Sequence, residues 1–468
     1  ARPEPARVAS PWRASEVRPA LGALLDKLPA GEPLPALPST GWEETTILAA
    51  SMAESPSAFL RSVMAHNLAL AGRAAALPAV RARLDAPLVD ELRRALVARS
   101  RDPRADLRDR IACGYAVGDL GDPRFERRTG PHGAYLAPPM VGVPGGRYPI
   151  GTDEPIEWQS GTIAAHVPRH RVELAPFRIG QFLVTNAEYR CFVEAGGYES
   201  DAWWDTAVGR DWRRGKGTAA HAHGVVRYWL ARYRDEPGQL EAARAGWDAG
   251  DTIYDRWKAR LAMTPRQLEA HLHEMYPEQR FTEPRYWPAE SLSRPAQPVV
   301  GICVYEARAY CAWLAAQTGD AFRLPTEVEW EAAARGLPAR AYAHGDAFDP
   351  LRANTLETRV LRPTPVGVFV TGDTPEGVAD LTGNVSEWTS SLFGTDGDVP
   401  EFGYPYRPDD GREDAAAAPS VYRVVRGCAY KADRGRALAA FRSNTRAMLR
   451  DPAIGFRVVA SGASPGRG

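Results

Sequence analysis

The spacing of apolar residues changes near Phe125, and this change limits the chain to a fold with two unlike parts. From Gly41 to Phe125 the apolar residues recur at helical spacing. Four prolines divide this pattern into short helices: Pro56, Pro78, Pro87 and Pro103. After Phe125 the helical spacing fades, while Gly, Pro and Trp become frequent. The sequence therefore predicts a helical segment followed by an irregular domain.

Three further segments follow from composition and spacing. Residues 1–40 are rich in Pro and Ala and are predicted to form a linker or docking strap. Residues 41–125 are predicted to be helix pairs stacked as a solenoid. Within the irregular domain, residues 211–280 again have helical spacing, which indicates a helical insertion.

Charge and hydropathy narrow the classes of partner. Lys+Arg and Asp+Glu both number 58, so the chain has no global field that would hold nucleic acid or a membrane surface. The sequence contains no stretch of about 18 apolar residues, the length needed to span a bilayer. The 5 cysteines contain no CxxC pair and are too few to staple a chain of 468 residues. We therefore expect a cytoplasmic protein without nucleic-acid or membrane partners.

Five sequence blocks occur in a fixed order in the second part of the chain. They are VPGGRYPIG from Val143, HRVELAPFRIGQFLVTNAEYRCFVEAGG from His170, PAQPVVGICVYEARAYCAWLAAQTG from Pro295, FRLPTEVEWEAAARG from Phe322, and a split block, DLTGNVSEWTSS from Asp380 with RVVRGCAYKADRGRALAAFRSNTR and IGFRVV. Thr326 with Glu329 is the pattern of a helix capping box, and Gly319 is placed to end a helix. The order of the blocks resembles the formylglycine-generating enzyme superfamily.

The resemblance implies a C-type-lectin-like fold over residues 136–460, and hence an α+β protein with little regular secondary structure in that domain. The segment LRDRIACGYAVGDLGDPRF, from Leu107, resembles the last helix of a HEAT-like array. Such arrays precede domains of this type at the C-termini of bacterial signalling ATPases of the NACHT class. An effector or ATPase partner is therefore expected, although the chain contains no GxxxxGK[ST] phosphate loop.

Members of the superfamily that make formylglycine bind copper through two cysteines, because soft thiolates suit Cu(I). The corresponding stretch here, from Ala429 to Ala453, contains no cysteine, and Cys428 precedes it without a partner. Relatives that make sulfoxides of histidine derivatives hold iron with three histidines, whereas the helical segment here has only His66. We therefore expect neither copper nor iron, and a protein that is not an enzyme.

The resemblance implies structural Ca²⁺, a cation that prefers oxygen ligands. Its ligands would be the side chains of Asp380 and Glu387 and the carbonyls of Gly383 and Val385, with a second site near Asn354 and Thr355. The alternative is that Asp380 and Glu387 cap a turn without a metal.

With the metal ligands missing, the remaining use of such a scaffold is the display of variable loops. In the variable proteins that this domain resembles, diversity-generating retroelements mutate the stretch that corresponds to Tyr430 to Arg450 here. Aromatic and arginine side chains suit recognition of a protein or peptide ligand. The predicted ligand-binding residues are Trp388, Tyr430, Lys431, Asp433, Arg434, Asn444, Arg446, Met448 and Arg450.

Two departures from the superfamily pattern, Ser386 in place of Trp and Cys428-Ala429 in place of Gly-Ser, indicate an altered pocket. The sequence thus favours a non-catalytic sensor module in a bacterial signalling or defence system. The alternative is a copper- or non-haem-iron-dependent oxidase of the same superfamily.

Overall fold

The computed structural model describes residues 5–29, 31–158, 161–244 and 250–461. Its N-terminal part is helical, as the proline-broken apolar spacing predicts. The helices of this part are α1 (Leu21–Leu25), α2 (Glu43–Met52), α3 (Pro56–Met64), α4 (Leu68–Ala76), α5 (Pro78–Arg81), α6 (Ala86–Ser100) and α7 (Leu107–Leu120). Leu60, Leu92 and Leu96 are fully buried in the core that these helices share. Their HEAT-like character stays a prediction.

A run of short strands follows α7. The strands are β1 (Glu126–Gly130), β2 (Gly133–Ala137), β3 (Met140–Val143), β4 (Gly146–Ile150), β5 (Ile156–Trp158), β6 (Gly161–Ile163), β7 (His170–Leu174) and β8 (Phe177–Gly180). The pairs β1–β2, β4–β7 and β5–β6 are antiparallel, and β3 and β8 pair within a larger sheet.

Six helices come next. They are α8 (Asn186–Glu194), α9 (Ala207–Arg213), α10 (Ala220–Asp235), α11 (Pro237–Arg244), α12 (Gly250–Leu261) and α13 (Pro265–Met275). Helices α10 to α13 lie within the predicted insertion, and α10 and α13 share a small core in which Val226, Leu230 and Leu272 are buried. Helix α9 instead places Trp212 in the main core of the domain.

The rest of the domain mixes helices and strands. Its elements are α14 (Glu290–Ser293), α15 (Val304–Thr318), β9 (Phe322–Arg323), α16 (Glu327–Arg335), β10 (Ser386–Gly394), β11 (Tyr422–Arg426), β12 (Ser443–Arg446), β13 (Ile454–Gly455) and β14 (Val459–Ser461). The predicted α+β class is thereby confirmed.

Two four-stranded sheets form the frame of the domain. One has the order β12-β11-β10-β13, with β13 parallel to β10 and the other pairs antiparallel. The other has the order β3-β8-β14-β9 and is antiparallel. Because β13 and β14 are separated by only Phe456–Val458, the last few residues of the domain tie the two sheets together.

Helix α15 is central to the domain core. Tyr310 stacks on Tyr189 with ring centroids 5.5 Å apart, and it also contacts Trp313 and Phe456. The helix ends at Gly319, which has φ +80°, as the sequence predicts. The predicted capping box of α16 is also present, since Thr326 Oγ1 accepts from the Glu329 amide and the Glu329 carboxylate accepts from the Thr326 amide.

The helical segment is packed tightly against the irregular domain through α7. A Cβ atom placed on Gly114 would lie 2.7 Å from Pro365, and one on Gly118 would lie 2.7 Å from Ala296. Arg110 donates to the Val368 carbonyl over 2.7 Å. Gly114 and Gly118, which lack a Cβ atom, allow α7 to approach the domain closely.

No helix in the described ranges is long and apolar enough to cross a membrane.

Candidate functional site: a charged groove at the sheet edge

A groove of about 420 Å³ opens over the sheet β12-β11-β10-β13, and we call it the Cys428 groove. Ser386 of β10, Val425 of β11 and Ser443 of β12 lie in its floor. Its outer wall is the loop that follows β11, and its other wall is the segment before β13. A groove of this size suits a small molecule or a short piece of chain.

A tight turn after β11 places Cys428 in this groove. Gly427 has φ +93° and Cys428 has φ +66°, a backbone conformation that costs energy for a side chain other than glycine. A Cβ on Gly427 would lie 2.9 Å from the ring of Trp330, which explains the glycine at that position. The turn therefore has a packing reason at Gly427 and local strain at Cys428.

The Cys428 thiol is buried against backbone oxygens. Sγ lies 3.5 Å from the carbonyl oxygen of Ala429 and 3.8 Å from those of Ala432 and Asp433. Burial raises the pKa of Cys428 to about 12, so the thiol is protonated at neutral pH. Because the thiolate is the form that attacks electrophiles and binds soft metals, Cys428 is set up for neither task in this conformation.

Opposite charges stand around the mouth of the groove. Lys431 Nζ lies 2.9 Å from Asp451 Oδ1, and the Lys431 side chain is 51% exposed. Asp433 and Arg436 also line the groove, and Asp433 Oδ1 accepts from the Gly435 amide over 2.8 Å. The groove therefore presents both acidic and basic groups to anything that enters it.

Buried arginine–carboxylate pairs hold the strands beneath the groove. Arg442 forms two hydrogen bonds with Glu327, over 2.6 and 2.8 Å, and Arg426 lies 2.5 Å from Glu331. All four side chains are fully buried. Charge-assisted contacts, above all the two-point contact of Arg442 with Glu327, fix orientation as well as adding energy, so the floor is preorganised.

The predicted Ca²⁺ ligands have other partners. Both oxygens of Glu387 accept from Arg457, over 2.6 and 2.8 Å, so a guanidinium occupies the place predicted for a cation. Asp380 is buried and accepts from the Gly367 amide over 2.7 Å, and burial raises the pKa of its carboxyl. Val385 is fully buried in an apolar cluster beside Leu183 and Val366. Glu387 thus pairs with an arginine and Asp380 holds a backbone amide, and both the Ca²⁺ site and its turn-capping alternative stay predictions.

The second predicted cation site is likewise used by the protein itself. Asn354 forms an isolated backbone bridge with Gly383, and its side-chain amide donates to the Arg362 carbonyl over 2.9 Å. Thr355 Oγ1 donates to Glu357 over 2.7 Å. These contacts join the segment at residue 354 to the turn before β10.

The predicted ligand-binding residues are divided among different surroundings. Lys431, Asp433 and Asn444 line the Cys428 groove, whereas Met448 and Arg450 line a separate cleft beside the helical insertion. Arg446 lies with Asn444 against α10.

Three predicted residues do not reach these cavities. Trp388 is fully buried and its indole donates to the Ile302 carbonyl over 3.1 Å, so it belongs to the core. Tyr430 is 8% exposed and packs on Ala453. Arg434 donates its backbone amide to Glu357 over 2.8 Å.

The sequence patterns do not predict that Asp451 lines the Cys428 groove. They also do not predict that residues of α10 line the separate cleft beside the insertion. Asp451 is 20 residues from its partner Lys431, and no local pattern links the two. The only signal in the sequence for this ion pair is that Lys431 and Asp451 carry opposite charges.

The described residues do not form a copper or iron site. Nowhere in the described ranges do three His, Cys, Asp or Glu side chains lie together in an arrangement that could hold a metal ion. His223 contacts the ring of His273 at 5.1 Å, but its Nε2 is directed at the carbonyls of Leu272 and Tyr276. The described residues alone therefore supply no donor set for either metal, and we derive no reaction step through one.

Comparison with known proteins shows what the chain is related to. The profile of the sulfatase-modifying factor enzyme 1-like domain matches residues 128–228 and 257–461. A hercynine oxygenase of Mycolicibacterium thermoresistibile is 32% identical over 228 residues, covering 48% of this chain and 37% of the relative. One from Mycolicibacterium smegmatis is 30% identical over 282 residues, covering 59% and 50%. The chain thus spans half or less of the length of these relatives.

A solved structure, PvdO from Pseudomonas aeruginosa, aligns with a TM-score of 0.41 at 20% identity and covers 70% of this chain and 95% of that one.

These relatives correct two predictions. The expectation that the chain is not an enzyme is wrong, because relatives at about 30% identity are named as oxygenases. The expectation of neither copper nor iron is wrong for the same reason, whereas structural Ca²⁺ stays a prediction. The family predicted from the five blocks is confirmed. With its domain matched over more than half of its length, the chain belongs to the sulfatase-modifying factor enzyme 1-like domain family, whose members include formylglycine-generating enzymes.

Proposed function

We propose that this chain is an oxygenase of the superfamily and that it binds, in the Cys428 groove, a small molecule carrying both a positive and a negative group. The similar oxygenases are named after hercynine, which is a small molecule with both a positive and a negative group. The proposal replaces the non-catalytic sensor with the alternative that the sequence also allowed.

The observation that carries the proposal is the charge arrangement of the groove. Lys431 and Arg436 supply positive charge, and Asp433 and Asp451 supply negative charge, all within one lining. A carboxylate of the ligand would displace Asp451 from Lys431, and the released Asp451 carboxylate would face the ligand's cationic group. The polar floor residues Ser443, Asn444 and Thr445 add hydrogen-bonding groups.

Ser386 contributes room to this groove. It lies at the start of β10 and lines the floor of the groove. The superfamily pattern has a tryptophan at this position. A large ring at this position would occupy part of the 420 Å³. The serine therefore sets how large a substrate the groove admits.

The test measures oxygen consumption by the purified full chain with hercynine as the substrate probe, with Fe(II) and Cu(I) supplied in separate reactions. We expect Lys431→Gln to raise KM at least several-fold and Ser386→Trp to abolish turnover by filling the groove. Lys258→Gln, at an exposed lysine of α12 that does not line the Cys428 groove, is the matched control and should leave both constants unchanged. Substrate-independent oxygen use, or equal kinetics of the Lys431 and Lys258 variants, would contradict the proposal.

A further inference from the structure

A second cavity, of about 550 Å³, lies between the helical insertion and the domain, and we call it the insertion cleft. Its walls come from the start of α10, from the last residue of α13 and the segment 276–285 that follows it, and from Met448 and Arg450 after β12. The cleft is distinct from the Cys428 groove, because the two share no lining residue.

The lining of the insertion cleft carries an excess of positive charge. Arg280, Arg285 and Arg450 line it, against a single acidic residue, Glu283, in the described lining. The charge of Arg450 is balanced outside the cleft by Glu306, whose carboxylate lies 3.1 Å from Arg450 Nε. Arg280 and Arg285 are exposed, and Arg280 donates to the Tyr198 carbonyl over 3.2 Å. With Glu283 as the single acidic group of the described lining, the cleft retains a net positive charge.

A histidine stands between this cleft and β12. His221, on α10, lines the insertion cleft, and its Nδ1 is buried without a hydrogen-bond partner among the described residues. Burial, followed by the charges of Arg446 and Arg285, lowers the pKa of His221, so its imidazole is neutral at pH 7. A neutral ring with an unpaired nitrogen can form one hydrogen bond with a bound ligand.

The inner wall of the insertion cleft is apolar and aromatic. Trp212 and Phe281 lie with ring centroids 5.6 Å apart, and the Arg450 guanidinium is 4.1 Å from the Phe281 ring centroid. Met448, which is 9% exposed, closes the wall beside them. A ligand that fits this surface has a flat apolar body.

From these contacts we infer that the insertion cleft binds a small organic acid with an aromatic body. The carboxylate lies at the rim beside Arg285 and Arg280, the ring lies against Phe281 and Met448, and His221 Nδ1 forms a hydrogen bond with the ligand. Arginine suits this task because its planar donors match a carboxylate. The helical insertion, which has no counterpart among the five sequence blocks, thereby acquires a role in ligand binding.

The experiment uses 3-phenylpropionate as the probe, its neutral amide as the matched ligand, and the full chain, with binding followed by calorimetry and tryptophan fluorescence. We expect the acid to bind at millimolar concentration or below, the amide to bind about tenfold more weakly, and higher salt to weaken the acid alone. Arg285→Gln should cost the acid about tenfold in Kd and leave the amide unaffected.

Arg266→Gln, an exposed arginine on α13 outside the cleft lining, is the matched control and should bind the acid as the parent does. Equal affinity for the acid and the amide, an unchanged Kd in the Arg285 variant, or no binding of the acid at millimolar concentration would overturn the inference. The Lys431→Gln variant separates the two sites, because it should impair oxygenase turnover and leave binding of the acid unchanged.

Discussion

Replacing Arg457 by methionine tests whether the carboxylate at Glu387 depends on a protein cation. Arg457 is fully buried and forms four hydrogen bonds, two to Glu387 and one each, over 3.0 Å, to the carbonyls of Gly180 and Ala379. It thus joins β10, β8 and the turn before β10. Methionine fills similar space but leaves Glu387 buried with no counter-charge.

The loss follows from the geometry. Removing one member of a buried ion pair costs about 3–5 kcal/mol, because the remaining charge stays uncompensated. We therefore expect Arg457→Met to lower the free energy of unfolding by about 4 kcal/mol. The double variant, with Glu387→Gln added, should recover about 2 kcal/mol, because a neutral amide is less costly to bury than a carboxylate.

Urea unfolding followed by tryptophan fluorescence measures these differences, since the chain has 13 tryptophans, several of them buried. Arg147→Met is the matched control. Arg147 lies 3.8 Å from Glu173 on the surface, with both side chains at least 69% exposed, so its removal should change nothing measurable. If the Arg457 and Arg147 variants unfold at the same urea concentration, or if the double variant is no more stable than Arg457→Met, the reasoning is refuted.

Two further predictions concern a buried acid and the packing of α7. Burial raises the pKa of Glu188 to about 8 from its ordinary 4.5, so the folded protein holds a proton that the unfolded chain releases, and the stability from this group is complete below pH 4.5 and lost as the pH rises towards 8. Glu188→Gln should flatten the fall of the urea midpoint across this window, and an unchanged slope would contradict it. Gly114→Ala should cost about 1–3 kcal/mol because its Cβ would meet Pro365 at 2.7 Å, whereas Gly224→Ala, in open space on α10, should stabilise by about 0.5–1 kcal/mol; equal effects on thermal unfolding would argue against the packing of α7.

Helix ends were the part of the fold most accessible from the sequence. Thr326 with Glu329 and Gly319 mark helix boundaries because the hydrogen bonds of a cap join residues only a few positions apart. The order of the five blocks also identified the family before any geometry was known. The missing cysteine pair and the single His66 of the helical segment predict that the chain is not an enzyme, and this prediction is wrong because similar proteins are named as oxygenases.

The residues of the candidate site could be predicted only in part from the sequence. Lys431, Asp433 and Asn444 were named from the stretch after β11 and do line one groove. Trp388 was placed in the same set, but its position in β10 directs it into the core. A residue's side of a strand depends on register, and register is set by partners distant in sequence.

By itself, the sequence determined the helical and irregular parts, the local caps and the family, because these depend on short-range spacing and on the order of motifs. Only the tertiary structure decided which carboxylates face arginines, as with Glu387 and Arg457, which are 70 residues apart. It also decided that the insertion lies beside Met448 and Arg450 to form a cleft. The physical reason is that ion pairs and cavities depend on distances in space between segments whose separation along the chain carries no pattern.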